Sequence, residues 1–273
     1  MNKGAPDDTA VRLYLDRWNL TPDGPALRTP SSTLAPVRRD GTSAMLKIAH
    51  AAEEQIGNGL MVWWNGRGAA PILAHDDHAL LMERALGGQS LERMATQGQD
   101  EQASGLLCAA LARLHEPRAA PLPKLTPLQS WFRDLLAADP VACPMLKRSA
   151  QAARRLLDEP QDIGVLHGDM HHGNLLDFGP SGWLAIDPKG LHGERGFDYA
   201  NLFCNPDPAT ALAFFHRRLQ QVVRTGGLDR RRLLQWILAW SGLSALWLMQ
   251  DGMDAAGRLD VGRMAAHELD LPV

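Results

Sequence analysis

The amino-acid sequence predicts an α+β chain in two unequal lobes, and three observations carry that prediction. The first third, residues 1–85, alternates short β-like runs with helical stretches. Gly87-Gly88 marks a change of character, after which residues 86–273 are mainly helical. Residues 163–187 interrupt the helices with short apolar runs, "GVLHGD" and "GWLAIDP". A chain of 273 residues that is 45% hydrophobic can bury a sizeable core in one large domain or two lobes.

The small lobe opens on "DDTAVRLYLDRWN", an amphipathic helix with Val11, Leu13, Leu15 and Trp18 near one side. The prolines of "TPDGPALRTPSS" end it. Two strands then flank Asp40-Gly41, because Asp-Gly between apolar runs signals a hairpin. "AAEEQIGNGLMVWWNG" follows as a helix ending near Asn65-Gly66, weakened by Gly57 and Gly59. "PILAHDDHALLMERAL" gives two more strands around an acidic turn. In the large lobe, "DEQASGLLCAALARLHEP", "SWFRDLLAADP" and "PMLKRSAQAARRLLDEP" are helices closed by proline. The stretch from Ala209 to Leu271 is helical again. Within it, "RRRLLQWILAWSGLSALWLM" is apolar almost all round and must be a core helix or a packed pair.

Composition excludes several classes. A net charge of -3 with 22% charged residues argues against nucleic-acid binding by general electrostatics. The run Arg230-Arg231-Arg232 reads as a solvated helix start. No apolar run is long enough to span a membrane, and "MNKGAPDDTA" lacks the apolar core of a leader. Cys108, Cys143 and Cys204 lack CxxC spacing and read as reduced thiols. A cytoplasmic protein is expected, with a small-molecule partner. The sequence does not distinguish a monomer from a dimer.

The chemistry concentrates in "LHGDMHHGNLL", residues 166–176. A metal cluster of His167, His171 and His172 is one reading, and a polar loop with a satisfied histidine is another. The third rests on order and spacing. Asp169 precedes Asn174 by five positions, and Asp187 comes thirteen residues after Asn174, closing the apolar "WLAI". Far upstream, Lys47 ends the strand "AMLK", and Glu53 and Glu54 follow on a helix. Phosphoryl transfer to a hydroxyl needs a cation on the nucleotide phosphates and an acid to hold that cation. It also needs a carboxylate beside the attacking hydroxyl, and an amide with a carboxylate for Mg²⁺. Protein kinases carry this set in the same chain order.

With "WLAIDPKG", "VWWNGRGAAPIL" and "IDPKGLHGERGFDYANLF", the sequence resembles the aminoglycoside phosphotransferase family, closest to its streptomycin 6-kinase and hydroxyurea-resistance branch. The resemblance runs from about Lys47 to Pro206. It implies a protein-kinase-like fold and transfer of a phosphoryl group from ATP, with Mg²⁺, to a hydroxyl of an aminoglycoside such as streptomycin. It implies Asp169 as catalytic base, Asn174 and Asp187 on Mg²⁺, Lys47 on the α- and β-phosphates, and Glu54 as its partner, with Glu53 the fallback. "LLMERA" resembles the hinge between lobes, so adenine would meet backbone groups near Glu83 and Ala85. His167 would brace the catalytic loop. Glu194, Asp198 and Asp207 follow the metal aspartate and are the candidate contacts for a cationic acceptor, since carboxylates pair with guanidinium groups in fork geometry.

Two departures stand out. No GxGxxG precedes Lys47, so Ser31, Ser32 and their backbone N–H groups would face the phosphates instead. Asp187-Pro188-Lys189 replaces Asp-Phe-Gly, so no flip of that triplet is expected. The competing functions are a kinase for another hydroxylated metabolite, a nucleotide-binding pseudokinase, and a metal hydrolase.

Overall fold

The computed structural model describes residues 8–138 and 143–270. Its first helix, α1 (Asp8–Arg17), is followed by six strands: β1 (Thr21–Pro22), β2 (Leu27–Arg28), β3 (Ser32–Arg39), β4 (Thr42–Ala49), β5 (Ile72–His75) and β6 (Ala79–Glu83), with α2 (Ala52–Trp64) between β4 and β5. The strands form one antiparallel sheet in the order β1-β3-β4-β6-β5, with β2 also pairing with β3. Asp40 and Gly41 take φ of 50° and 79° and close the β3–β4 hairpin. Such values match the twist of the flanking strands.

Strand alternation divides the small lobe between two cores. Ala79 and Leu81 of β6 pack with Ala35, Val37, Leu46, Tyr14 and Leu20 under α1. Leu80 and Met82 point the other way, toward Leu60, Met61 and Trp64 of α2 and the main core. The buried stripe of α1 differs from the expected one. Tyr14 is buried and Leu13 is exposed, because 11, 14, 15 and 18 share a helical face and position 13 lies across the axis.

The large lobe contains α3 (Leu91–Met94), α4 (Asp100–Leu114), β7 (Thr126–Pro127), α5 (Leu128–Trp131), α6 (Arg133–Ala137), α7 (Pro144–Asp158), β8 (Ile163–Leu166), β9 (Leu175–Asp177), β10 (Trp183–Ala185), β11 (Leu191–Glu194), α8 (Gly196–Ala200), α9 (Pro208–Ala213), α10 (Phe215–Gly226), α11 (Arg230–Gln250) and α12 (Ala256–Asp270). Its architecture is the two-lobed α+β arrangement that the sequence predicts. The apolar 21-residue α11 is one continuous helix packed against α7, α8 and α12. The helix expected at "SWFRDLLAADP" is broken at Phe132, whose fully buried ring packs edge-on to Phe197 at 5.6 Å. Strand β11 has no alternating signature and exists through its pairing with β8 and β7. The expected absence of a leader concerns residues of which 1–7 lie outside the described ones, as does Leu271. Among the described residues, no helix is long and apolar enough to cross a membrane.

Candidate active site

The loop between β8 and β9 is built around a buried carboxylate. Asp198 on α8 accepts hydrogen bonds from the backbone N–H groups of His167 at 2.8 Å and Gly168 at 2.7 Å. Its Oδ2 also lies 2.8 Å from Nε2 of His115, the residue that ends α4. Gly168 needs its φ of +84°, which a side chain would make strained. His167 is fully buried, and burial pushes its pKa down to about 4, so the ring is neutral. Its Nε2 donates to the Ile186 carbonyl at 2.9 Å, and its Nδ1 accepts the Asp169 N–H at 3.2 Å. One neutral imidazole thus ties the loop to the end of β10.

That tie aligns Asn174 with Asp187. β9 and β10 form a hairpin, and the Ile186 N–H bonded to the Asn174 carbonyl at 3.0 Å extends its ladder. Asn174 and Asp187 therefore share its open end. Asn174 Nδ2 donates to the Asp169 carbonyl at 2.9 Å and to its Oδ2 at 3.3 Å, which leaves the amide oxygen for a cation. Asp187 adopts a φ of 57°, an uncommon backbone state for a residue other than glycine. An amide oxygen beside a carboxylate is the hard donor set that Mg²⁺ takes together with phosphate oxygens, so these residues fit that ion.

Asp169 is held by two amides, since Asn201 Nδ2 donates to its Oδ1 at 2.9 Å. Burial pushes its pKa up to about 7; Lys189 opposes the rise, the Asp187 charge adds to it, and the two amides oppose it. Lys47 projects from β4 into ion pairs with Glu54 and Asp187. Glu54, not Glu53, is the inward acid of α2: its side chain is 4% exposed, against 48% for Glu53. Burial works against the charge on Glu54, and Lys47 more than offsets it, so the pKa falls below the usual carboxylate range. The same balance lowers Asp187.

The triplet after Asp187 is wedged under α2. A Cβ at Gly57 would collide with the Pro188 carbonyl oxygen, and one at Gly190 with Ile56. This contact accounts for a glycine inside α2. The Lys189 N–H donates to the His167 carbonyl at 2.7 Å, while its Nζ lies 3.4 Å from Glu54 and 3.8 Å from Glu53.

At the lobe junction, Glu83 closes β6 and its N–H donates to the Pro71 carbonyl at 2.9 Å. Ala85 follows, and the Gly87 N–H is bonded to the Asp177 carbonyl at 2.9 Å. Ser31 and Ser32 are engaged elsewhere than expected. Ser31 Oγ donates to Glu54 at 3.0 Å, and the Ser32 N–H donates to Thr29 Oγ1 at 2.9 Å in a local turn.

The three acids expected to meet the acceptor are framework instead. Asp198 is the loop anchor described above. Glu194 is buried, receiving Arg232 Nε and Nη2 at 2.6 Å each, Trp236 Nε1 at 2.8 Å and the Gln161 N–H at 3.0 Å. Asp207 caps α9, accepting the Thr210 N–H at 2.9 Å and its hydroxyl at 2.7 Å. The cavity beside Asp169, about 740 Å³, is walled instead by Trp131, Trp240 and Trp247 with Asn201, Asn205 and Lys189; Glu53 and Asp134 also border it. Trp240 Nε1 donates to Asn201 Oδ1 at 2.9 Å, so the wall is bonded to the amide that holds Asp169. In the sequence, Trp240 and Trp247 read as helix core and Trp131 as part of a short helix, and Asn201 carries no separate signal. The histidine cluster fails as a metal site: among the described residues, no three His, Cys, Asp or Glu side chains are placed to hold an ion.

Comparison with known proteins supplies the family. The aminoglycoside/hydroxyurea antibiotic resistance kinase family matches residues 17–252. A streptomycin 3''-kinase of Klebsiella pneumoniae is 49% identical over 94% of this chain and 100% of that protein. A streptomycin 6-kinase of Streptomyces glaucescens is 36% identical over 90% of this chain and 84% of that one. The crystal structure of a thermostable mutant of aminoglycoside phosphotransferase APH(4)-Ia, in ternary complex with ADP and hygromycin B, shares the fold with a TM-score of 0.68 at 12% identity, covering 96% and 99% of the two chains. The chain belongs to the aminoglycoside/hydroxyurea antibiotic resistance kinase family.

Proposed function

We infer that this protein transfers the γ-phosphoryl group of ATP to a hydroxyl of streptomycin or a closely related guanidino-cyclitol, and so confers resistance. The observation that carries the reading is one cluster: buried Lys47 between buried Glu54 and half-buried Asp187, with half-buried Asp169 and buried Asn174 beside them. Asp169 takes the hydroxyl proton as the acceptor oxygen attacks, and Asn201 and Asn174 fix the carboxylate for that task. Lys47 neutralises the α- and β-phosphates. Mg²⁺, held by Asp187 and Asn174, would offset charge on the phosphate oxygens. Adenine pairs at the lobe junction with backbone groups near Glu83 and Ala85. The acceptor occupies the tryptophan-walled cavity. Guanidinium groups stack on indole faces and pair with carboxylates, which Asp134 and Glu53 supply. The cytoplasm, where ATP is plentiful, is the place of action.

The test is ADP release at saturating MgATP with streptomycin varied, followed by identification of the phosphorylated hydroxyl by NMR. Relatives are named for two different positions, and either would satisfy the reading. Absence of streptomycin-dependent ADP release would remove streptomycin as acceptor.

A further inference from the structure

Within the site, two lysines share one carboxylate. Glu54 receives Lys47 on one oxygen and has Lys189 and Ser31 on the other. They differ in how firmly they are held. Lys47 is locked between Glu54 and Asp187 with its side chain 5% exposed. Lys189 lies 3.4 and 3.8 Å from its two carboxylates, longer than the 2.7–2.9 Å typical of a charge-assisted hydrogen bond, and its side chain is 19% exposed on the cavity wall.

Its main chain, by contrast, is fixed. The Lys189 N–H is bonded to the His167 carbonyl, and the flanking Pro188 and Gly190 are wedged against α2. A fixed backbone with a loosely paired ammonium is a cation that can move a short distance from a defined origin. The charge balance calls for one there. Glu53, Glu54, Asp169 and Asp187 surround the site, and Lys47 and Lys189 are the lysines that face them. Phosphoryl transfer spreads charge over the equatorial oxygens of the group in flight. The other arginines of the cavity wall are engaged elsewhere: Arg133 pairs with Asp134 at 3.6 Å, and Arg258 donates to the Cys204 carbonyl.

We propose that Lys189 is a second catalytic cation, which leaves Glu53 and Glu54 to contact the phosphoryl group as it passes from ATP to the acceptor. The proposal rests on the phosphotransfer reading above. In that step the acceptor oxygen forms a bond to the γ-phosphorus. The bond from that phosphorus to the β–γ bridging oxygen breaks, and its electron pair leaves with ADP. The hydroxyl proton goes to Asp169. Lys189 stays protonated throughout and acts by charge alone.

Lys189→Met keeps most of the aliphatic stem and removes the charge; Lys189→Arg keeps the charge. Binding of MgADP alone, and of MgADP with aluminium fluoride as a planar mimic of the transferring group, is measured by calorimetry on the full chain. MgADP affinity is expected to be equal in all three proteins. The extra affinity given by fluoride should fall about ten- to a hundred-fold in Lys189→Met and return in large part in Lys189→Arg. Streptomycin-dependent kcat should follow the fluoride result, with the KM for ATP unchanged. This design separates the two readings: a wild type without streptomycin turnover removes the acceptor, while the fluoride comparison still tests Lys189. Equal fluoride enhancement in wild type and Lys189→Met, or none in the wild type, overturns the proposal. So does loss of MgADP binding and melting temperature together in Lys189→Met, which would mark Lys189 as a strut between the lobes.

Discussion

The catalytic loop and the tryptophan wall of the cavity beside it are built in opposite ways. The loop is the stretch from His167 to Asn174, held by side chains that are themselves buried and bonded: Asp198 under two backbone N–H groups, and His167 between Asp169 and Ile186. The wall is drawn from α5, α6, α11 and α12, whose residues lie far apart in sequence, and its tryptophans also serve the hydrophobic core. On the proposed function, the chemistry common to phosphoryl transfers falls to the compact loop. Acceptor recognition falls to surfaces that helix packing has already created. A change in the loop should therefore abolish turnover, while a change in the wall should shift the acceptor KM.

The largest effect is expected at Asp169. Asp169→Asn should lose about 10² to 10⁴ in kcat while keeping nucleotide affinity. It should also raise stability at pH 8. Between the ordinary aspartate value of about 4 and about 7 the folded protein holds a proton that the unfolded chain has released. Stability due to that proton is present at low pH and lost as pH rises through the interval, and the amide removes this dependence. Melting curves of both proteins at pH 4 and pH 8 check the sign.

Asp198→Ala comes next. It strips two backbone N–H groups and His115 of their partner, so a loss of roughly 3 kcal/mol is expected, read by urea unfolding, with turnover falling as the loop loosens. If turnover fell with no loss of stability and the acceptor KM rose instead, Asp198 would be an acceptor contact after all.

The wall should respond more gently. Asp134→Asn and Trp131→Leu are expected to raise the streptomycin KM about ten-fold with the ATP KM unchanged, the scale of one charge-assisted or cation–π contact. Glu194→Gln is the counter-experiment, lowering stability through Arg232 and leaving the streptomycin KM alone. The smallest effect is on pH dependence: kcat should decline as pH falls through about 7, where Asp169 takes up its proton. A profile flat down to pH 5.5 would mean that the bound metal and substrate restore an ordinary aspartate.

The catalytic set is legible because a motif keeps its members at short, fixed separations, although Lys47 lies inside β4, two residues short of the end where the sequence puts it. Lys47 with Glu54, and Asp169 with Asn174, come together on that account. The acceptor acids were misread because nearness in sequence to Asp187 was taken for nearness in space. Glu194 instead meets Arg232, 38 positions away, and Asp207 turns back onto its own helix. Nothing in a run such as "ILAWSGLSALW" separates a tryptophan facing a cavity from one facing the core. Lys189 was visible only as a departure from Asp-Phe-Gly. In the fold, β3 to β6 are clear from their turns, while β1 and β2, in a proline-rich stretch that reads as a break, β11 and the break at Phe132 depend on partners that no local pattern names.

The wedge between Gly57 and Pro188 carries a consequence for control. Many kinases are silenced by swinging the glutamate-bearing helix outward and releasing the lysine. Here that helix sits with its backbone directly on the loop that follows Asp187, so an outward swing would open a gap that no side chain can fill. The Lys47–Glu54 pair is accordingly expected to persist with and without nucleotide. Amide exchange across α2 should then be equally slow with and without nucleotide.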